Sequence, residues 1–375
     1  MAPGSRDGRG ARAEQGVGPL LGPHLGLAPR GRPTPHVARR PTIRDVAERA
    51  GVHPATASRA LDPTQPGRIT AATTRKVARA ARELGYRPDP TARSLRTRRS
   101  GFVGVVVPDL TNPVLPPIVR GIEAVLWESG LACLLADTDN RPERETALVD
   151  ELRARRCEGL IVATATRTSA AVAGLAHDDL PTVLVTRETD ERTLPLVAGD
   201  DAHGVEALLG HLVKLGHERI AHVTGPLDLS TTVRREAAFR AALAAHRPAQ
   251  EPVVLHGAAF TIPAGRQATA ELLRARPDVT AILAGNDMIA LGCYEALADA
   301  GLRCPWDVSV AGHNDMPLVS RVSPPLTTVA IPQHDIGAAA ARTLLALLSG
   351  AAPVARRQLL PTTLIARGST GPPKR

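Results

Sequence analysis

The chain has 375 residues, of which 46 are Lys or Arg and 37 are Asp or Glu, so its formal net charge at pH 7 is +9. The positive excess lies in the first quarter, because residues 1–100 hold 20 basic and 7 acidic side chains and the remainder holds 26 and 30. This length and composition exclude a chain disordered throughout, and no apolar run reaches the roughly 20 residues of a membrane span. A basic block beside a near-neutral remainder favours nucleic acid over a membrane as partner.

The cysteines indicate a reducing compartment. Cys133, Cys157, Cys293 and Cys304 show no C-x-x-C spacing. The mildly apolar stretch at residues 16–28 is interrupted by Gly and Pro and does not resemble a secretion signal. We therefore expect a cytoplasmic protein with reduced thiols and without a metal site.

Residues 1–40 are rich in Gly, Pro, Ala and Arg and show neither a helical nor a strand period. Ordering such a segment would cost chain entropy without burying apolar area, so we predict a disordered basic arm. Two other interpretations stay open. The arm could contact DNA phosphates, or it could reflect an upstream start codon.

The segment TIRDVAERAGVHPATASRAL, residues 42–61, has the pattern of two short helices around a tight turn. Gly51 provides the turn, and Pro54 suits the first position of the second helix, with His53 as a weaker N-cap before it. A third helix is predicted to begin near Thr70. One face of the first helix is apolar, at Ile43, Val46, Ala47 and Ala50. The spacing predicts an all-α helix-turn-helix domain over residues 41–88.

From Phe102 onward, short apolar runs alternate with amphipathic segments. Strands that are apolar on both faces and alternate with helices predict an α/β core with parallel sheets. The runs fall into two series separated near Gly199, which predicts lobes over roughly 101–198 and 200–325 within a core of 101–375. A ligand is expected between the lobes, at the carboxyl ends of the strands. The segment SPPLTTV, residues 323–329, is interpreted as a crossing between the lobes.

Several long motifs then follow in a fixed order. They are YRPDPTARSLRTRRSGFVGVVVPDLTNP (86–113), LADTDNRPERE (135–145), LGHERIAHVTGPL (215–227), AGNDMIALG (284–292), SVAGHNDMPL (309–318) and SPPLTTV (323–329). Together with the helix-turn-helix segment they resemble the LacI/GalR family of bacterial transcription regulators, over about residues 42–369.

The resemblance implies a two-lobed core like that of periplasmic binding proteins. It implies a homodimer that binds a palindromic operator in double-stranded DNA, usually as a repressor, within the cytoplasmic nucleoid. A small-molecule effector, a carbohydrate or related metabolite, would bind in the cleft and change the lobe orientation. No cofactor, enzymatic activity or membrane partner is implied.

The resemblance and the helix positions assign DNA contacts to the second helix. Arg59 is suited to pair with a guanine edge, and the hydroxyls of Thr56 and Ser58 to contact phosphates. The full set of contact positions is Thr42, His53, Pro54, Ala55, Thr56, Ser58 and Arg59.

A second DNA contact is expected from a hinge helix within residues 89–100. By the resemblance, Leu95 would wedge into a central base step in the minor groove, and Ala92 would pack against the same residue of the second protomer. Arg93 and Arg96 would lie near phosphates. Ordinary packing of Leu95 within a linker is the alternative.

The resemblance also carries over a set of effector contacts. They are Asn112, Val114, Thr231, Arg235, Phe260, Asn286, Asp287 and Asn314. Val114 stands where the family has an aromatic residue, and Asn314 stands where it usually has Asp. Because an amide both donates and accepts, a ligand other than the usual sugar diol is compatible with Asn314. Alternatives stay open for Asp287 as a helix N-cap and for Arg235 as a solvent-facing residue.

The chain has only three Phe, two Trp and two Tyr residues. Phe260, and less so Trp306, could stack on a sugar, although Trp306 and Phe239 are expected in the core. His211, His217 and His222 are close in sequence, but an intervening turn makes a shared metal site improbable. An effector-independent regulator and a solute-binding protein remain the alternative functions, and no enzyme motif is found.

Overall fold

The structure, a computed structural model, describes residues 41–61, 69–87, 100–247, 249–351 and 355–374. It divides into two compact units, residues 1–88 and 89–375. The described helices are α1 (Ile43–Arg49), α2 (Pro54–Ala60), α3 (Ala71–Glu83), α4 (Leu115–Glu128), α5 (Pro142–Ala154), α6 (Ala170–Gly174), α7 (Asp201–Lys214), α8 (Ser230–His246), α9 (Ile262–Ala275), α10 (Asp287–Asp299) and α11 (Gln333–Leu348). The described strands are β1 (Phe102–Val107), β2 (Ala132–Asp137), β3 (Leu160–Val162), β4 (Thr182–Val185), β5 (Leu196–Gly199), β6 (Ile220–Thr224), β7 (Val253–His256), β8 (Ala281–Ala284), β9 (Ser309–Asn314), β10 (Thr327–Ala330), β11 (Arg357–Leu360) and β12 (Thr363–Ile365).

The first unit is built from α1, α2 and α3. A capping box starts α1, because the Thr42 N–H donates to Asp45 Oδ2 at 2.6 Å and the Asp45 N–H donates to Thr42 Oγ1. His53 caps α2 by accepting from the Ala55 N–H on Nδ1 at 3.2 Å. Gly51, with φ 59°, makes the turn between the two helices.

The three helices enclose a small apolar core. Its fully buried members are Val46 and Ala47 from α1, Ala57 from α2, and Val77 from α3. Small side chains at 47 and 57 allow α1 and α2 to cross closely. The predicted helix-turn-helix is therefore confirmed.

The second unit contains two six-stranded sheets. The first sheet, in lobe 1, has the order β11-β5-β4-β3-β1-β2, and all its strands are parallel. The second sheet, in lobe 2, has the order β12-β10-β9-β8-β6-β7, and only the β10–β12 pairing is antiparallel. The predicted two-lobed α/β core with parallel sheets is confirmed.

The chain passes between the lobes three times. It leaves lobe 1 between β5 and α7, returns between β10 and α11, and crosses again between β11 and β12. Residues 323–329, which we interpreted as a crossing, instead run into β10 within lobe 2, and the crossing follows at Ile331 and Pro332. The strands β5, β10, β11 and β12 were absent from the sequence prediction.

Helix α11 follows the strands of lobe 2 but packs on α4 and on β4 and β5 of lobe 1. Gly121 and Gly337 allow the two helix backbones to touch. A Cβ at Gly121 would meet the carbonyl oxygen of His334, and one at Gly337 would meet that of Ile118. Lobe 1 is thus completed by a helix from late in the sequence.

Two aromatic expectations have different outcomes. Phe239 is fully buried as predicted, but Trp306 is 69% exposed, so the expectation that it lies in the core is wrong. It lies in the loop between α10 and β9. All four cysteines are free. Within the described ranges, no helix combines the length and apolar character that crossing a membrane requires.

Candidate functional site

The second helix, α2, presents an exposed face to solvent. His53, Ala55 and Arg59 are exposed, and Pro54, Thr56 and Ser58 are half-buried. Ala55 and Arg59 are four residues apart and so share one helix face. Thr42 is half-buried, and its hydroxyl takes part in the capping box of α1. The hinge positions Ala92, Arg93, Leu95 and Arg96 lie outside the described residues.

A cleft between the lobes holds two adjoining cavities, which we name the deep cavity and the outer cavity. They open to solvent, hold about 620 Å³ and about 1100 Å³ of space with that open solvent included, and share Pro108, Asn112, Arg187 and Phe260 as lining residues. Seven of the eight expected effector contacts line the deep cavity: Asn112, Val114, Thr231, Arg235, Phe260, Asn286 and Asn314.

The floor of the deep cavity is a buried ion cluster centred on Asp201, the first residue of α7. Arg235 Nε donates to Asp201 Oδ1 at 2.8 Å, and Arg234 Nε donates to Asp201 Oδ2 at 3.0 Å. Burial raises the pKa of Asp201, but Arg235, Arg234 and His313 outweigh it and lower the pKa to about 2. Arg235 is only 6% exposed, which excludes the solvent-facing alternative.

Arg234 also ties the two lobes together. Its Nη2 donates to the Thr186 carbonyl of lobe 1 at 2.7 Å, and its Nη1 lies 3.3 Å from Glu188 Oε1. The same carboxylate pairs with Arg357 of β11 at 2.9 Å. The Glu188 N–H donates to the Ser230 hydroxyl at the start of α8. Because Asp201 begins the segment after the first crossing, this network spans the junction of the lobes.

Asp287 does not line either cavity, which corrects its assignment as an effector contact. Its Oδ2 accepts from the Met316 N–H at 2.7 Å, and its Oδ1 accepts from the Thr328 hydroxyl at 2.6 Å. Burial raises the pKa of Asp287 to about 6 despite these two donors. The N-cap of α10 is Asn286, whose Oδ1 accepts from the Ile289 N–H, and not Asp287.

Three asparagine amides in the deep cavity are anchored through their oxygens. Asn112 Oδ1 accepts from the Val114 N–H, Asn286 Oδ1 caps α10, and Asn314 Oδ1 accepts from Arg235 Nη2 at 3.3 Å. Within the described ranges, none of the three Nδ2 groups donates a hydrogen bond. These N–H groups are therefore available to a ligand.

Phe260 is the aromatic residue that lines both cavities. Its ring rests on Gly225, where a Cβ would lie 2.6 Å from Phe260 Cζ. Glycine at the end of β6 thus allows the ring to sit against the backbone. Its place in the cleft is the one expected of a stacking residue.

Arg187, which the sequence analysis missed, follows β4 and lines both cavities. Its N–H donates to the Val185 carbonyl at 2.7 Å across Thr186, whose φ is 62°. This closes a γ-turn with a β-branched residue at positive φ, a strained geometry. Its guanidinium makes no hydrogen bond or ion pair with any described residue. Burial lowers the pKa of Arg187 to about 10, although nearby Asp228 raises it.

Three further buried polar atoms in the cleft have no partner among the described residues. They are Glu145 Oε1 and Thr164 Oγ1 of the outer cavity and Thr231 Oγ1 of the deep cavity. The other carboxylate oxygen of Glu145 accepts from the Ser169 hydroxyl at 2.8 Å. Buried polar atoms are ordinarily hydrogen-bonded, so these groups indicate a place for a polar ligand.

The three neighbouring histidines have separate partners. His211 bonds to Thr370, His217 to Thr280 and Ser309, and His222 to the Leu283 carbonyl. In the part of the chain that the structure describes, no cluster of His, Cys, Asp or Glu could hold a metal ion.

Comparison with known proteins agrees with this architecture. Residues 42–89 match bacterial regulatory proteins of the lacI family, and residues 209–370 match a periplasmic binding protein-like domain. The ribose operon repressor of Halalkalibacterium halodurans is 31% identical over 329 residues, which cover 88% of this chain and 97% of that protein.

Two solved structures are similar over most of the chain. The lac repressor dimer bound to operator and the anti-inducer ONPF has a TM-score of 0.80 at 30% identity, over 89% of this chain and 100% of that one. The complex of the transcriptional regulator CelR with cellobiose has a TM-score of 0.67 at 31% identity, over 88% and 100%. The chain therefore belongs to the lacI family of bacterial regulatory proteins, which are transcription repressors and not enzymes.

Proposed function

We propose that this protein represses transcription by binding a near-palindromic operator as a homodimer, under the control of a small-molecule effector in the cleft. Residues 41–88 bind DNA, 89–100 form the hinge and linker, and 101–375 bind the effector and the second protomer. The effector is a carbohydrate or a related metabolite. The protein acts at the nucleoid in the cytoplasm.

The observation that carries the proposal is that one chain combines a helix-turn-helix with an interlobe cleft that contains unpartnered polar groups. The exposed face of α2 supports direct base contact by Arg59, with Thr56 and Ser58 on phosphates. A free-standing solute-binding protein would not require the exposed face of α2. The second protomer supplies the second half-site that a palindrome requires.

The Asp201 network supports coupling between the cleft and the DNA. Arg234 holds Thr186 and Glu188 of lobe 1, while its neighbour Arg235 lines the deep cavity. A ligand that contacts Arg235 therefore changes the balance of contacts that fixes the lobe orientation. The effect is reciprocal, so operator DNA changes effector affinity by the same factor.

The first test is selection of random duplex DNA by the purified protein, followed by sequencing. We expect one enriched palindrome. Leu95→Ala weakens its binding, and Arg59→Ala relaxes base preference at one position of each half-site by about 1–3 kcal/mol. Arg266→Ala, which removes an equal charge from an exposed pair with Asp299, leaves the selection unchanged. Binding that is only salt-sensitive, without enrichment, would favour the solute-binding alternative.

The second test is a thermal-shift screen with sugars, nucleosides and related metabolites. A ligand at about 100 times its Kd stabilises the core by about 2.7 kcal/mol and raises the melting temperature accordingly. Operator binding without any stabilising ligand would favour the effector-independent regulator.

A further inference from the structure

The two cavities differ in their polar groups, because unpartnered amide donors line the deep cavity while three carboxylates line the outer cavity beside two arginines. In the deep cavity the lining carboxylate is Asp201, and both of its oxygens are already taken by Arg234 and Arg235. The Nδ2 groups of the anchored asparagines remain as donors. The deep cavity therefore suits the acceptor-rich end of a ligand.

Arg187 lines both the deep cavity and the outer cavity. The other arginines that line the cleft already have carboxylate partners. Arg234 and Arg235 pair with Asp201, and Arg141 Nε lies 3.2 Å from Asp139. The Arg187 guanidinium alone among these four has no ion pair or hydrogen bond with a described residue, although Asp228 and Glu145 act on it electrostatically. Arg187 is half-buried, so a ligand anion would add the charge-assisted hydrogen bonds that the guanidinium lacks.

The backbone holds Arg187 in this position. The γ-turn at Thr186 is fixed by the hydrogen bond between Arg187 and Val185 and by Arg234, which donates to the Thr186 carbonyl. A strained turn persists only where the surrounding contacts hold it in place, and such turns are common at binding sites. The backbone of Arg187 is therefore fixed beside the two cavities before any ligand arrives.

The outer cavity has the opposite character. Glu145 Oε1 is buried without a donor, and Asp109 and Asp228 line the same space. Three carboxylates there face two arginines, Arg141 and Arg187. These carboxylates accept hydrogen bonds from hydroxyl groups and repel a second negative charge on the ligand.

We propose that the effector is a polyhydroxylated monocarboxylic acid, of the sugar-acid class, whose carboxylate binds Arg187 and the deep-cavity amides and whose hydroxyls face Glu145. The inference rests on the proposed effector role of the cleft. A neutral sugar leaves Arg187 without a counter-ion. A phosphate dianion brings excess negative charge close to Glu145, Asp109 and Asp228.

The test measures binding to the full chain by isothermal titration calorimetry, with thermal shift as a second readout. The probes are D-gluconate, D-galactonate, D-glucuronate and D-galacturonate, with D-glucose and D-galactose as neutral counterparts and D-glucose 6-phosphate as the dianion. We expect at least one acid to bind at least about tenfold more tightly than its neutral counterpart, which lacks the charge-assisted hydrogen bond with Arg187, and than the phosphate, whose second charge the outer-cavity carboxylates repel.

Arg187→Gln is expected to weaken binding of that acid by at least about tenfold, and Arg187→Lys by less, because the charge is kept but the bidentate geometry is lost. Arg266→Gln, which removes a guanidinium paired with Asp299 outside both cavities, changes affinity by less than about threefold. If Arg187→Gln does not fold, the comparison of Arg187→Lys with Arg266→Lys decides the matter, and equal affinities would overturn the proposal.

Tighter binding of a neutral sugar or of the phosphate, or no binding of any acid, also overturns the sugar-acid inference. Neither result affects the operator selection. Loss of operator enrichment would instead refute the proposed regulator while leaving acid binding intact. The two failures are thereby distinguishable.

Discussion

Some buried polar groups in and beside the cleft have hydrogen-bond partners within the protein, and others have none. Asp201, on the floor of the deep cavity, is buried and hydrogen-bonded through both oxygens within the protein, as is Asp287 outside the two cavities. Elsewhere in the cleft, Glu145 Oε1 is buried without a hydrogen-bond partner among the described residues, and the Arg187 guanidinium makes no hydrogen bond or ion pair with any of them. The paired groups hold elements and lobes together, whereas the unpaired groups are suited to a ligand. Burial alone does not distinguish a charged side chain with a structural role from one that is available to a ligand. The presence or absence of a partner within the protein does distinguish them.

The largest effect on this comparison is expected from Asp201→Ala. The substitution leaves the guanidinium groups of Arg234 and Arg235 buried without their carboxylate, and breaking a buried pair in this way costs about 3–5 kcal/mol. Urea unfolding followed by far-UV circular dichroism measures the change. Asp299→Ala, which removes the exposed partner of Arg266, is the control and costs less than about 1 kcal/mol. Equal losses in the two variants would mean that the floor cluster is not structural.

A smaller loss is expected from Thr328→Val. The Thr328 hydroxyl donates to Asp287 at 2.6 Å, and its removal leaves a buried carboxylate oxygen without a donor, at a cost of about 1–3 kcal/mol. Since Asp287 lies outside both cavities, affinity for the effector does not change. Calorimetry on the variant checks this, and a large loss of affinity would return Asp287 to the binding site.

The pH dependence of the free energy of unfolding tests a further buried group, His222. Burial lowers the pKa of His222 from 6.5 to about 4, although the Leu283 carbonyl opposes the shift. The unfolded chain therefore binds this proton first as the pH falls, so the stabilisation is complete above pH 6.5 and is lost between pH 6.5 and 4. Between pH 7 and pH 5 the natural protein should lose on the order of 1–2 kcal/mol more than His222→Gln. Parallel pH profiles of unfolding would contradict a buried neutral His222.

The smallest change in stability is expected at a hydroxyl that has no partner. Thr231→Val replaces a buried, unpartnered hydroxyl in the deep cavity by a methyl group, so the free energy of unfolding changes by less than about 0.5 kcal/mol. Affinity for the effector falls, because the ligand loses one hydrogen bond. Thr232→Val is the matched control, since its hydroxyl is also unpartnered but does not line either cavity. A loss of affinity in both variants would argue against a direct contact of Thr231.

The sequence was sufficient for the fold where apolar runs are long and lie between helices, as in β1 and β9. It missed β11, whose RQLL segment lies at a sheet edge and is partly exposed, because neither of its faces is uniformly apolar. Trp306 was placed wrongly because a large apolar side chain favours burial on average, while a loop can leave it in solvent.

For the cleft, motif positions brought together seven residues that do line the deep cavity. Asp287 was assigned to it by the same resemblance, yet the first turn of α10 directs the side chains of Asn286 and Asp287 to different partners. Arg187 and Asp201 belong to no motif, and they were missed. The available signal was their location directly after β4 and after β5, since ligands bind at the carboxyl ends of parallel strands.

The three crossings have a consequence for synthesis of the chain. Lobe 1 begins first, but its helix α11 and strand β11 come from residues 333–348 and 357–360. Lobe 2 has five of its six strands by Ala330. Because translation proceeds from the N-terminus to the C-terminus, most of lobe 2 is synthesised before α11 and β11, the two elements that complete lobe 1. Until α11 is synthesised, the apolar faces of β4 and β5 that it covers stay exposed. The nascent chain is therefore most prone to aggregation, and most in need of a chaperone, during that interval.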